Sequence, residues 1–273
     1  MIRRVRVLTW NVAGRVRRLP EQAKVVGALG ADVVALQEVT ARTLPLWREA
    51  LATAGLQHAM CALELPPAAA EGAAGAPGGR RRLGVLTASR ERLEPLPAPG
   101  DIPWPERLLA VRVAGVEVAN LHSPIAPAPD LAKVRTHEAV ARWLAGLPAA
   151  PRILCGDLNT PRRELPDGDV LTFAHESSGK LRPERGERWD AAERALVHDL
   201  RAQHGWTDAY RALHGYGDRA ASWTFSGDKG GWRLDHLLVR DLEVVACDYA
   251  HEWRRAGLSD HSALVADLSL RSG

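Results

Sequence analysis

Cysteine is scarce in the 273-residue chain, and Cys61, Cys155 and Cys247 stand far apart. No disulfide framework and no zinc-ligand spacing can be drawn from them, which fits a reducing compartment, so the cytoplasm is the expected location. Lysine is nearly missing: Lys24, Lys133, Lys180 and Lys229 stand beside many arginines, yet the net charge is only +3. The arginine excess reads as the codon usage of a G+C-rich genome. Mild positive charge permits a phosphate-bearing partner without demanding one. No apolar run approaches the roughly 18 residues of a membrane span. The opening MIRRVRVLTWNV lacks an apolar h-region and a small-residue cleavage site, so no signal peptide is expected. Also missing are G-x-S-x-G, G-x-x-x-x-G-K-[ST] and G-x-G-x-x-G, which leaves a nucleophilic-serine elbow, a phosphate loop and a dinucleotide site without support. No obligate protein partner is indicated.

What is present is globular: 46% hydrophobic and 25% charged residues, enough to bury a substantial core. Residues 3–10 alternate like a strand. The stretch from Pro20 predicts a short helix stopped by Gly30, and ADVVALQEV from Ala31 a buried strand. Residues 43–54 suit a helix. Residues 66–82, PPAAAEGAAGAPGGRRR, read as a mobile surface loop. Two strands follow from Arg107, joined at Ala114-Gly115. Asp130 is the expected N-cap of a helix running to about Leu147. RILCGDLN reads as a buried strand entering a Gly-Asp turn, residues 160–188 carry no clear element, and Asp190 to His204 form an amphipathic helix. Strands are expected at 222–226, 234–239, 243–247 and 263–268. Strands outnumber helices, which predicts α/β architecture with stacked sheets. The length fits two small domains or one large one; because residues 66–82 read as a loop rather than a linker, one domain spanning 1–273 is expected.

Polar residues fall at telling places. Asn11 follows a strand; Gln37 and Glu38 end one, as do Asn120 and His122. Asp157 and Asn159 sit in a turn after a strand, Asp235 and His236 lie inside one, and Asp260 and His261 precede the last. Carboxylates and amides in such positions are costly unless paired or metal-bound, and six of them favour a convergent site. Glu38, Asp157 and Asp260 are hard oxygen ligands, so Mg²⁺, or Mn²⁺, is the fitting metal. A divalent ion with carboxylates, amides and histidines suits phosphoryl chemistry. A histidine beside an aspartate stays protonated and can donate to a phosphate.

The blocks TWNVAG, ADVVALQE, NLHSP, CGDLN, GWRLDH and SDH occur in the order seen in the endonuclease/exonuclease/phosphatase superfamily, which the chain resembles over nearly its whole length. The C-terminal half, with HGWTDAYR, SWTF, GWRLDH and SDH, is most similar to the exonuclease III type of AP (abasic-site) endonucleases. The resemblance implies a four-layer α/β sandwich: two packed mixed β-sheets flanked by helices. It implies a Mg²⁺-dependent phosphodiesterase, with Glu38 as principal metal ligand helped by Asn11 and Asp260. Asp157 would activate the attacking water, with Asn159 aiding it. His261, paired with Asp235, would hold the scissile phosphate, and His122 would add a further phosphate contact. Trp223, Trp232 and Leu234 match the walls of the abasic-sugar pocket. Arg107 either reaches a phosphate or is simply solvated, and the two tryptophans either stack on substrate or merely pack.

Four departures from that branch bear on substrate. His122 stands where the branch has Tyr, as in the pancreatic deoxyribonuclease, sphingomyelinase and phosphatase branches. Thr40 replaces a Lys, Lys229 an Asn, and Ala13 an Asp or Asn. DNA is therefore the first expected substrate, with a small-molecule or lipid head-group phosphoester as the alternative. Every acid and base of the pattern is present, which speaks against a member that only binds nucleic acid. His236 reads as strand packing, and His58, His137, His175, His198, His204, His214 and His251 as surface residues.

Overall fold

The computed structural model describes residues 4–65, 82–226 and 229–270. The expected loop at 66–82 lies outside them except for Arg82. Along the chain run β1 (Arg4–Asn11), α1 (Leu19–Leu29), β2 (Val33–Val39), α2 (Leu44–Thr53), β3 (His58–Cys61), β4 (Gly84–Ser89), β5 (Glu94–Pro95), β6 (Leu108–Val113) and β7 (Val116–His122). Then come α3 (Ala132–Gly146), β8 (Arg152–Asp157), β9 (Arg163–Glu164), β10 (Val170–Leu171) and α4 (Gly186–Arg194). A π-helical turn at Ala195–Asp199 leads into α5 (Leu200–Gln203). The rest is β11 (Thr207–Asp208), α6 (Ala209–His214), β12 (Trp223–Thr224), β13 (Gly231–Trp232), β14 (Asp235–Arg240), β15 (Leu242–Ala250), α7 (His251–Arg255) and β16 (Ala263–Leu270).

Two six-stranded sheets carry the architecture, in the orders β15-β16-β1-β2-β4-β3 and β11-β14-β8-β7-β6-β5. Both mix parallel and antiparallel pairs: β1 runs parallel to β2 and β7 to β8, while β1–β16 and β8–β14 are antiparallel. Successive side chains of a strand point to opposite faces. Val5 and Val7 of β1 therefore join Val111, Val118, Ile153 and Leu237 between the sheets, whereas Leu8 and Trp10 face the other way, beneath Val26 and Trp47 of α1 and α2. In the second sheet Leu121, Leu154 and Leu238 turn outward to meet Ala139, Val140 and Leu144 of α3. Strands covered on both faces read as near-continuous apolar runs, which is the look of β2 and β8. The result is helix, sheet, sheet, helix: the expected four-layer sandwich.

Local chemistry explains most boundaries. Pro20 opens α1 and Gly30, left-handed at φ 67°, closes it. Ala114 and Gly115 both take positive φ, as a two-residue hairpin turn requires. Three expectations need correction. Asp130 does not cap α3; it and Leu131 both adopt left-handed backbone, and Leu131 is the N-cap, with no side-chain cap bond. The helix expected from Asp190 begins at Gly186 and is interrupted by the π turn. The strand expected at 222–226 shrinks to Trp223–Thr224, paired with Gly231–Trp232.

Candidate active site

Strand register gathers the polar residues at one end of the sandwich. In the second sheet Asp157, the last residue of β8, faces Asp235 of β14 on one side and His122 of β7 on the other. Gly156 makes that approach possible: a Cβ there would lie 2.0 Å from the Leu121 carbonyl oxygen. In the first sheet Asn11 pairs with Gln37. The β2–β4 register then shifts between Leu36 and Val39, and within this bulge Glu38 takes φ 61°. A bulge re-aims one side chain, and a non-glycine residue in left-handed backbone persists only where its surroundings hold it. Between the sheets Gln37 donates to Thr9 Oγ1 (3.0 Å) and to Asn120 Oδ1 (2.8 Å), and Asn120 donates to the Leu86 carbonyl (3.0 Å). These amides tie the two sheets together beneath the site.

Above that floor Asn11 Nδ2 bridges the carboxylates, donating to Glu38 Oε1 (3.2 Å) and Asp157 Oδ2 (3.0 Å), while its Oδ1 accepts from the Ala13 amide (2.9 Å). His261 Nδ1 donates to Asp235 Oδ2 at 2.8 Å, and its Nε2 lies 3.9 Å from Asp157 Oδ2. Burial alone would push the His261 imidazolium down, but Asp235 and Asp157 outweigh it and raise the pKa to about 10. Burial pushes Asp157 up, with Asp235 adding to it, to about 7, against the pull of His261, Asn11 and the Asn159 amide. His122 behaves oppositely: burial, Arg107 and His261 hold it well below its ordinary value, so it is neutral. Its Nε2 accepts from Arg107 at 3.4 Å and lies 3.8 Å from both Glu38 Oε1 and Asp157 Oδ2.

Arg107 is not solvated: it is 7% exposed, with its guanidinium 4.7 Å from the centre of the Trp104 ring. Trp223 and Trp232 stack at 5.2 Å and 11°, with the edge of Phe225 against both. Gly231 permits this hairpin, because a Cβ there would lie 2.1 Å from the Trp223 carbonyl oxygen. The pair sits beside the polar cluster, for Trp223 forms a backbone bridge with His261. Leu234 is buried and accepts the Leu158 amide on its carbonyl. Asp260, next to His261 in the chain, is more open than the buried set. Its half-exposed carboxylate lies 3.6 Å from Arg15 and 3.5 Å from the Ser259 hydroxyl, which donates to the Asn11 carbonyl.

The donor chemistry fits a hard divalent cation. Glu38 is partly open to solvent, and among the described residues neither lysine nor arginine pairs with it; its neighbours are an amide and a neutral imidazole. Asp157, Asp235 and His261 also converge closely enough for a metal. His261 Nδ1, however, is engaged with Asp235 and its ring is protonated, which makes it a poor ligand. Glu38 is thus the better anchor.

Sequence reasoning overlooked a buried layer behind this site. His137, read as a surface residue, is fully buried, with Nε2 2.6 Å from the Ser123 hydroxyl. Lys133 and Glu193 are buried too, joined at 2.6 Å. A signal existed: Lys133, Thr136, His137, Val140 and Leu144 fall on one helical face, so the lysine belongs to the apolar side. His236 is strand packing with a bond, from Nε2 to the Thr160 carbonyl at 2.8 Å.

The model of the Endonuclease/Exonuclease/phosphatase family matches residues 8–261. Among solved structures, an AP endonuclease from Archaeoglobus fulgidus superposes with a TM-score of 0.70 at 21% identity, covering 96% of this chain and 98% of that one. A 3′-5′ exonuclease from Neisseria meningitidis gives 0.63 at 23% identity over 96% and 98%. An endonuclease/exonuclease/phosphatase from Beutenbergia cavernae gives 0.63 at 22% identity, covering 98% of this chain and 72% of that one. These likenesses bear on the fold. No curated protein matches the chain.

Proposed function

The chain belongs to the endonuclease/exonuclease/phosphatase family, whose members hydrolyse phosphoester bonds, and from that premise we propose that it is a divalent-metal-dependent phosphodiesterase acting on DNA, as an AP endonuclease or 3′-5′ exonuclease. The observation that carries this reading is the meeting of Asp157 with the His261–Asp235 pair on one side and the Asn11-bridged Glu38 on the other. The names of the similar structures, an AP endonuclease and a 3′-5′ exonuclease, favour DNA as the first substrate to test.

Glu38, Asn11 and Asp260 would hold Mg²⁺ or Mn²⁺, which when bound polarises a phosphoryl oxygen and offsets developing charge. Asp157, poised near neutrality, takes the proton of a water whose oxygen attacks phosphorus opposite the leaving oxygen. Asn159 orients that water, and no covalent intermediate with the protein forms. His261, kept protonated by Asp235, donates from Nε2 to a non-bridging oxygen, where charge grows in the transition state. His122 and Arg107 add a neutral contact and a fixed cation for phosphate. Trp223, Trp232 and Leu234 wall the sugar, or the two tryptophans stack on a base.

A second reading, hydrolysis of a small-molecule or lipid head-group phosphoester, is favoured by one feature. The buried Arg107 backs His122, so a permanent cation stands beside the phosphate site and suits a terminal dianion. The test is Mg²⁺-loaded protein against an abasic-site duplex, a 3′-recessed duplex and a panel of sugar, inositol and nucleotide monoesters. We expect DNA cleavage, with Asp157→Asn reducing turnover about 10²–10⁴-fold, the usual worth of a general base. Intact DNA alongside phosphate release from a monoester would establish the second reading, and Asp157→Asn turnover equal to the parent's would remove Asp157 from the mechanism.

A further inference from the structure

Lys133 lies in the first turn of α3 and is 1% exposed, yet none of the chemistry above uses it. An ammonium tolerates such burial only when it is paired and hydrogen-bonded. Its Nζ donates to Glu193 Oε1 and to the main-chain carbonyl of Asn159, each at 2.6 Å. Glu193, from α4, is itself saturated: it accepts from Trp189 Nε1 (2.7 Å), the Thr160 hydroxyl (2.8 Å) and the Phe173 amide (2.7 Å). The ammonium also sits 4.9 Å from the centre of the Phe173 ring, and that ring packs edge-on against Trp232 at 4.9 Å. A single ion pair therefore touches both sides of the site. Through Asn159 and Thr160 it reaches the Asp157 turn, and through Phe173 it reaches the tryptophan wall.

Stability alone is a weak account of this pair, because well-packed apolar side chains of the same volume stabilise a core at least as well. What it bonds to is more telling. Asn159 is held in left-handed backbone at φ 52°, a conformation that asparagine adopts more readily than most residues but that its hydrogen-bond partners must still hold in place. Its amide donates to Asp157 Oδ1 at 2.9 Å and its side chain to the Ser123 carbonyl at 2.8 Å, so any relaxation of the turn moves Asp157's partner. We propose that Lys133, through its bonds to Asn159 and Glu193, is a positioning residue that fixes the Asp157–Asn159 turn against the Phe173–Trp232 wall. This rests on the reading above, in which Asp157 and Asn159 act on the phosphoester.

Two measurements on Lys133→Met test it, with Lys133→Met/Glu193→Gln alongside so that no buried carboxylate is left alone. The first is amide hydrogen exchange, which needs no activity. Protection should fall about tenfold or more over residues 157–160 and 172–175 while the interior of β8 and of β16 keeps the parent's protection. Unchanged exchange in those two segments, loss spread through β8 and β16, or failure of both variants to fold overturns the proposal. The second is a double-mutant cycle with Asp157→Asn on whichever phosphoester the parent cleaves. Removing Lys133 should lower kcat about 10–100-fold with KM within about threefold, and lower it much less once the Asp157 carboxylate is gone. Equal losses in both backgrounds overturn it. A parent that cleaves no phosphoester defeats the functional reading instead, and exchange then decides the positioning role by itself.

Discussion

Two histidines flanking one aspartate are driven in opposite directions by their neighbours. His122 meets the Arg107 guanidinium in a buried place and stays neutral, whereas His261 meets two carboxylates and stays protonated up to about 10. The sequence reasoning that a histidine beside an aspartate keeps its proton describes His261; His122 also lies near Asp157, but burial first, and then Arg107 and His261, hold it neutral. Since the His261 value is raised, the protonated donor is present at low pH and is lost as pH climbs through that value. Asp235→Asn should therefore bring the alkaline limb of the kcat/KM profile down by about one to three pH units, the usual effect of one close opposite charge. Titration of the His261 ring by NMR checks the same shift directly, and an unmoved ring would refute Asp235 as its cause. Residue types and order at the site were legible from sequence. The left-handed bulge at Glu38 was not, since nothing in a glutamate's identity announces it; the turn at Asn159 was legible, but not its hand.

At the scale of elements, the short pieces were the hard ones to read. β9, β11 and α6 are too brief to show a period, yet they supply Glu164, Asp208 and Arg211 to one buried ion network with Arg233 of the GWRLDH block. Burial would push the Glu164 carboxyl up, but Arg233 and Arg211 override it and bring it to about 2. A depressed carboxylate contributes stability at pH above its unfolded value, near 4.5, and that contribution drains away as pH falls toward about 2. At 1.36 kcal/mol per pH unit the contribution is of order 3 kcal/mol. Urea unfolding across that window should show the loss in the parent and a flatter profile in Glu164→Gln. The variant should also be about 3–5 kcal/mol less stable at neutral pH, because it leaves buried arginines short of a partner. Identical acid profiles would mean that Glu164 is not the titrating group. The long strands and α1 were readable because each buries a regular face.

For the whole molecule, the sandwich explains why residues scattered from Asn11 to His261 meet: strands of both sheets end on the same side, and inter-sheet amides hold the ends level. The two sheets share one apolar layer, and we propose that they unfold together as a single domain. Calorimetry should then give one transition with equal calorimetric and van't Hoff enthalpies, and two separable transitions would divide the sheets into independent units. Among the described residues no helix is long and apolar enough to cross a membrane, and all three cysteines are buried and free.

If a divalent cation sits on Glu38 and works there with Asp157 and His261, as proposed, anomalous diffraction from a Mn²⁺-soaked crystal should show a peak about 2.1 Å from a Glu38 carboxylate oxygen. A peak seated instead among Asp157, Asp235 and His261, or no peak at saturating Mn²⁺, would remove Glu38 as the anchor.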